Sequence, residues 1–329
     1  MQNLYNCLMI AKKYLTFSDV PVLLIGFNRP EFIKARIKEL LHMPIEKLYI
    51  SLDGGSYENY YEMREVLNWS KHILRDIEFL QIYKHEKNLG IVTHITSTIT
   101  KLLKKHSHLI IVEDDVVLAN NFYINMVRGF NYQIETKKKG IVGGFSATNL
   151  SNFKSIDNKW RESKYIVIWG WGCSAEIWSD YNSRLDEKKL EKELGRSKTW
   201  ANLSTFQQQV WKGRFHKTII NPNFTWDIQL QYLSFTHDFI NLYPISTLTR
   251  NNGYSDQRST NTKNTKPNWM TIKEPDNRIV SNKKIFFATK KFFEIIDANI
   301  LMSDTKIINW WKHKKNYRLR VFNNINKLN

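Results

Sequence analysis

Cysteine is nearly absent: the 329 residues contain only Cys7 and Cys173. Two thiols cannot build a disulfide framework, so the fold is expected to rest on its core and the chain to work in a reducing compartment. Long hydrophobic runs are absent too. No apolar stretch reaches the roughly 18 residues that a bilayer span requires, and the apolar run within residues 1–18 is interrupted by Lys12 and Lys13. Neither a membrane span nor a secretory signal is expected. The glycine fingerprints GxGxxG and GxxxxGK[ST] are also missing, which excludes the common dinucleotide and P-loop modes of holding phosphate. There are no internal repeats.

Positive charge is in excess. The formal net charge is +18, on a chain that is 42% apolar and 24% charged, a globular composition. The excess is uneven: residues 280–329 hold eleven Lys/Arg against Glu294, Asp297 and Asp304. The charge therefore describes the tail more than any site, and it leaves nucleic acid, an anionic membrane and an anionic substrate open.

The first half alternates short apolar runs with helical patterns, as βαβ units do. Residues 21–28 read as a buried strand, and Pro30 suits the first position of a helix reaching Leu41. Residues 47–52 repeat the pattern and end in Asp53-Gly54-Gly55. A helix is expected over 57–74, a strand over 77–83, and a helix from about 91 to 105 after the turn Asn88-Leu89-Gly90. The next strand is Leu109-Ile110-Ile111-Val112, followed by Glu113-Asp114-Asp115 and then Val116-Val117-Leu118. A helix near 120–136 and a strand at 140–143 follow.

An apolar run of that kind suits a strand buried on both faces of a parallel sheet. It cannot bury three unpaired carboxylates, so the acids belong at its carboxyl end, where open α/β sheets bind ligands. Two readings stand level on this stretch alone: oxygen ligands for a hard divalent cation, or an inert acidic turn. Asn28/Arg29, Asp53 and the acidic run all tip strands, so parallel pairing would gather them on one edge of the sheet.

Residues 160–270 hold most of the tryptophans, densest at Trp169-Gly170-Trp171-Gly172. Indoles flanked by glycine offer stacking faces near a flexible backbone, or else seal the core of a loop-rich layer. Thr225 is placed to cap a helix that begins near Trp226-Asp227. Residues 256–268 are rich in Ser, Thr, Asn, Gln and Lys and read as a loop or lid. In the tail, Trp310-Trp311 beside Lys312, Lys314 and Lys315 suits either a helix lying on an anionic membrane or a helix packed on the main domain.

The ordered set Phe27-Asn28-Arg29-Pro30, Leu52-Asp53-Gly54, Asn88-Leu89-Gly90, Val112-Glu113-Asp114-Asp115, Trp169-Gly170-Trp171-Gly172, Trp226-Asp227 and Asn252-Gly253-Tyr254 resembles the GT-A glycosyltransferases. Within them the chain is most similar to bacterial relatives of N-acetylglucosaminyltransferase I, over residues of about 22 to 262. The resemblance implies an α/β fold of the GT-A kind: a Rossmann-like, mostly parallel sheet flanked by helices, with a C-terminal helical extension. A transferase domain at 1–270 would divide into a donor half of about 20–145 and an acceptor half of about 146–270. Residues 271–329 would be the extension.

The resemblance also implies roles. Asn28, Arg29, Asp53, Asn88, Glu113 and Asp114 would bind a nucleotide-sugar donor, UDP-linked by preference. Asp115 would ligate Mn²⁺ or Mg²⁺, Asp227 would be the catalytic base of an inverting transfer, and Trp169, Gly170, Trp171, Gly172 and Trp226 would shape the sugar and acceptor pocket. The acceptor would be a bacterial surface glycan or glycolipid, of lipopolysaccharide or capsule. The enzyme would be cytoplasmic, with the extension available for peripheral attachment to the inner face of the membrane. One departure stands out: relatives often carry Thr-His where this chain has Thr260-Asn261, and Asn is a poorer metal ligand than imidazole. The alternative is an inactive GT-A domain that binds a glycan or a partner. Nucleic acid is not expected as a partner, because an acidic crevice has the wrong sign for a phosphate backbone.

Overall fold

The computed structural model describes residues 14–55, 57–146, 158–256, 258, 274–283, 294 and 297. Residues 1–13, Thr260-Asn261, most of the lid and almost all of the basic tail lie outside the described residues.

The strands are β1 (Val22–Gly26), β2 (Lys47–Leu52), β3 (Phe79–Lys84), β4 (His108–Glu113), β5 (Val116–Leu118), β6 (Val142–Gly143), β7 (Trp160–Ser163), β8 (Trp171–Ser174), β9 (Asn241–Pro244) and β10 (Thr249–Asn251). Eight form one sheet in the order β3-β2-β1-β4-β8-β6-β9-β7, and β5 pairs with β10 in a small second sheet. β1 lies parallel to both β2 and β4. β8 enters antiparallel between β4 and β6, while β9 runs parallel to β6 and β7 antiparallel to β9. The sheet is thus mixed and mostly parallel in direction, with helices on both faces.

The sequence shows why both faces are covered. The central strands carry apolar runs, residues 22–25 in β1, 48–50 in β2 and 109–112 in β4, so alternate side chains enter different layers. Val22, Leu24, Leu48, Ile50, Ile110 and Val112 meet Ile33, Ile37 and Leu40 of the helix Pro30–Leu41, together with the helix Phe122–Thr136. Leu23, Ile25, Leu109 and Ile111 meet Val92, Ile95, Ile99 and Leu102 of the helix Ile91–Leu103 on the other face. Each such side chain contributes about 1.5–3 kcal/mol when fully buried. A third cluster joins the helix Thr205–Ile220 to Tyr232 and Phe235 of the helix Asp227–Thr236.

The start of the C-terminal segment packs on this body. Asp276 N–H donates to Thr247 O at 2.8 Å, and Val280 N–H donates to Asn125 Oδ1 at 2.8 Å. Further along, Arg161 and Asp297 form a buried ion pair at 2.5 Å. At these points, packing on the domain is the arrangement observed. Among the described residues no helix is long and apolar enough to cross a membrane.

Candidate functional site

Parallel pairing of β1 with β4 sets their carboxyl ends side by side, and the chain turns sharply after each. After β1, Pro30 starts a helix at once and leaves Arg29 at its cap, with the Arg29 carbonyl accepting from Phe32 and Ile33 N–H at 3.0 and 3.1 Å. After β4, a turn at Asp114-Asp115 leads into β5. Arg29 reaches across this gap. Its Nε donates to Asp114 Oδ2 at 3.2 Å, a terminal nitrogen pairs with Asp114 Oδ1, and the other donates to Asp115 Oδ2 at 3.2 Å. The fork matches a carboxylate edge, the geometry that favours arginine over lysine.

One guanidinium does not neutralise this site. Burial, reinforced by Asp115, Asp114 and Asp227, pushes Glu113 well above the usual carboxylate range, against a smaller opposing effect from Arg29. Burial pushes Asp114 up to about 7 despite its pairing with Arg29, and it also raises Asp115. Burial works against the Arg29 charge, yet the two acids outweigh it and raise its pKa. The site is therefore short of positive charge.

The small sheet completes this corner. β10 pairs antiparallel with β5, with Asn251 opposite Val116, so the turn after β10 meets the acids. Asn252 N–H donates to Asp115 O at 2.8 Å. Gly253 lies so close that a Cβ there would collide with Asp115 Oδ2. Tyr254 is raised by burial and by Asp115, and its ring meets Trp169 edge-on at 6.0 Å. Beside them Arg258 links Glu31 to Asp256. Gly253 and Tyr254 belong to the quoted sequence pattern, but their contact with Asp115 depends on the β5–β10 pairing, which has no local sequence signal.

Asp227 comes to the acids from the second half of the chain. It is the first residue of the helix Asp227–Thr236 and lies close enough to Glu113 to add to its electrostatic load. Thr225 is not the cap of this helix. Trp226 holds that position, and the Thr225 hydroxyl donates to Asp227 Oδ1 instead.

Other expected residues sit elsewhere. Asp53 tips β2, but its carboxylate accepts from the backbone N–H groups of Gly54, Leu89 and Gly90 at 2.9, 2.8 and 3.2 Å, which holds the turn before the helix Ile91–Leu103. The exposed Asn88 accepts from Gly90 N–H in the same turn, and Asn28 is half-buried between β1 and Arg29. Trp171 is 0% exposed and Trp226 is 2% exposed, so these indoles offer no face to a ligand. Gly172 lies in β8, where a Cβ would come within 2.6 Å of Leu109 O, so its glycine serves close strand packing. Trp169 and Gly170 remain beside the site, tied to it through Thr249 Oγ1 donating to Trp169 O at 2.7 Å. His216 and His237 lie on the surface near Glu187 and Asp180.

Among the described residues no group of three or more His, Cys, Asp or Glu side chains forms a ready-made metal cluster. The donor set nevertheless fits a hard divalent cation. Asp114 and Asp115 already converge on a cation, the guanidinium of Arg29. Mg²⁺-type sites are commonly made from one or two carboxylates with phosphate and water supplying the rest.

No protein-family model matches this chain, and no curated protein matches it in sequence. The solved structures with weak similarity to this chain include a mannosyltransferase, TarS and a putative thymidylyltransferase. The mannosyltransferase PcManGT from Pyrobaculum calidifontis, in complex with GDP-Man and Mn²⁺, aligns over 67% of this chain and 70% of its own, at 10% identity and TM-score 0.39. S. aureus TarS aligns over 52% of this chain at 11% identity and TM-score 0.35, and the chain spans only 31% of TarS. A putative glucose-1-phosphate thymidylyltransferase from Bacillus anthracis, in complex with a sucrose, aligns over 49% of this chain and 73% of its own, at 8% identity and TM-score 0.31.

Proposed function

We propose that the protein is a GT-A-type glycosyltransferase that moves a sugar, with inversion, from a nucleotide-diphosphate sugar to an acceptor hydroxyl. The observation that carries this reading is the gathering of Arg29, Asp114 and Asp115 at the carboxyl ends of β1 and β4, with Asp227 within electrostatic reach of Glu113. A buried acidic corner with one fixed cation suits a diphosphate that arrives with its own divalent metal.

In this reading Arg29 meets the diphosphate with its planar fork. Asp115, assisted by Asp114, would hold Mn²⁺ or Mg²⁺. When bound, the ion offsets charge on the leaving diphosphate. Asp53 shapes the far end of the crevice by holding the Asn88-Leu89-Gly90 turn. Asp227 acts as general base: Oδ1 accepts from Thr225, which orients the carboxylate and leaves Oδ2 for the acceptor proton. As that proton moves to Asp227, the acceptor oxygen bonds the anomeric carbon and the bond to the nucleotide diphosphate breaks on the opposite face. Trp169 and Tyr254 line the sugar side. A UDP-sugar donor and a bacterial surface glycan or glycolipid acceptor are the substrates proposed, at the cytoplasmic face of the membrane.

The test is a calorimetric screen of nucleotide sugars with Mn²⁺ present or chelated, followed by transfer assays. Asp227→Ala should lose ~10²–10⁴-fold in rate while still binding donor. Asp115→Ala should lose the metal-dependent part of donor binding. A chain that binds no nucleotide diphosphate under any condition would instead be a non-catalytic binding module.

A further inference from the structure

One carboxylate oxygen of Asp115 is already in use. Arg29 donates to Asp115 Oδ2 at 3.2 Å, and Gly253 packs against that same oxygen, so closely that a Cβ there would collide with it. Arg29 is held at three points, through Nε and both terminal nitrogens. Its side chain is only 13% exposed, over Asp114 at 3% and Asp115 at 14%. A positive group placed this way is the partner of Asp115 in the absence of any ligand. It also repels a second cation brought to the same carboxylate.

We infer that Arg29 is a placeholder cation, seated on Asp114 and Asp115 in the donor-free protein and moved from Asp115 to the diphosphate when donor and divalent metal arrive together. The inference rests on the donor-site reading above and adds an order to it: metal binds poorly until a diphosphate is present to take the guanidinium. Three features of the chain permit the move. The Arg29 side chain pivots from a helix cap, where Pro30 fixes the backbone and leaves the side-chain torsions free. Its fork fits a phosphate as well as a carboxylate. The two acids it would leave face the same cation and lie in one turn, so a single divalent ion can replace it without leaving them unpaired. Because binding couplings are reciprocal, nucleotide must tighten metal by the same factor that metal tightens nucleotide.

The test measures Mn²⁺ directly by electron paramagnetic resonance, with no turnover required. The full chain is titrated with Mn²⁺ alone, then with saturating UDP, with GDP in a parallel series, using wild type, Arg29→Gln, Arg29→Lys and Asp115→Ala. Wild type should bind Mn²⁺ alone weakly and gain roughly 5–150-fold with the nucleotide it accepts. Arg29→Gln should bind Mn²⁺ alone about tenfold or more tighter than wild type and lose most of the gain. Arg29→Lys keeps the charge but cannot bridge both acids, so it should fall between the two. It also serves as the readout if Arg29→Gln fails to fold, as judged by circular dichroism. Folded Arg29 variants that bind Mn²⁺ alone no better than wild type, with the nucleotide gain intact, would overturn the placeholder role and leave the donor site standing. Failure of wild type to bind Mn²⁺ even with UDP or GDP would overturn the donor-site reading itself.

Discussion

Trp171 and Trp226 stack with ring centroids 5.5 Å apart and planes 27° apart, which joins β8 to the turn that carries Asp227. The contact ties a residue of the central sheet to the residue immediately before the proposed base. Truncating either indole should leave a cavity and cost ~3–5 kcal/mol of stability. Trp171→Ala should also slow transfer more than it weakens donor binding, because it loosens the seat of Asp227. Trp171→Phe should retain most of both properties. Denaturant unfolding beside transfer kinetics checks this, and equal losses in donor affinity and rate would contradict it.

Gly253→Ala is expected to damage the site while sparing the core. The added methyl meets Asp115 Oδ2, and overpacking of this kind costs ~1–3 kcal/mol. Because the neighbour that must yield is the proposed metal ligand, donor affinity in the presence of Mn²⁺ should fall by about tenfold or more. The thermal midpoint without ligand should move only a few degrees. Calorimetry and a thermal melt on the same sample separate the two effects.

His94 gives the fold a pH limit on the acid side. Burial lowers it from 6.5 to about 4, with Asp53 opposing and His85 adding to the shift, and its Nε2 bonds Ser51 Oγ at 2.8 Å. A histidine lowered in the folded state contributes stability that is fully present above its unfolded value and lost as pH falls through that window. Stability should therefore decline between about pH 6.5 and pH 4, by up to ~3 kcal/mol from this residue. His94→Gln should flatten that part of the profile. An unchanged slope in the variant would refute the assignment.

Arg161 and Asp297 are 3% and 7% exposed, and their ion pair fastens the C-terminal segment to β7. Arg161 also stacks over the Tyr243 ring at 5.1 Å. Removing one partner of such a buried pair costs up to ~3–5 kcal/mol. Asp297→Asn should thus destabilise the whole domain, and a chain shortened to end before residue 297 should melt lower than the full chain. Replacing both partners with apolar residues of similar volume should recover much of the loss.

Much of this arrangement is readable in local chemistry. The apolar runs of β1, β2 and β4, Pro30 at a helix start and acids at a strand's end are all dictated by neighbours in sequence, and each lies where periodicity places it. The acidic run and Arg29 therefore meet as parallel strands require. What local pattern does not carry is pairing between distant segments. The antiparallel entry of β8 turns Trp171 and Gly172 into core residues, although the same Trp-Gly alternation in a loop would have offered stacking faces. The β5–β10 pairing brings Gly253 and Tyr254 to Asp115. Beyond its neighbour Gly54, Asp53 accepts from the backbone N–H groups of Leu89 and Gly90, more than thirty positions away, a use that nothing near residue 53 signals.

The placement of β8 also limits how the molecule can be divided. Because β8 hydrogen-bonds β4 on one side and β6 on the other, the two halves of the chain share one continuous sheet. A fragment ending near residue 145 would expose β4 as an open edge, with His108, Leu109, Ile110 and Ile111 deprived of their β8 partners. Long apolar edges of that kind recruit other strands. The isolated first half should accumulate as aggregate, so the chain is better altered by exchanging loops than by splicing its halves.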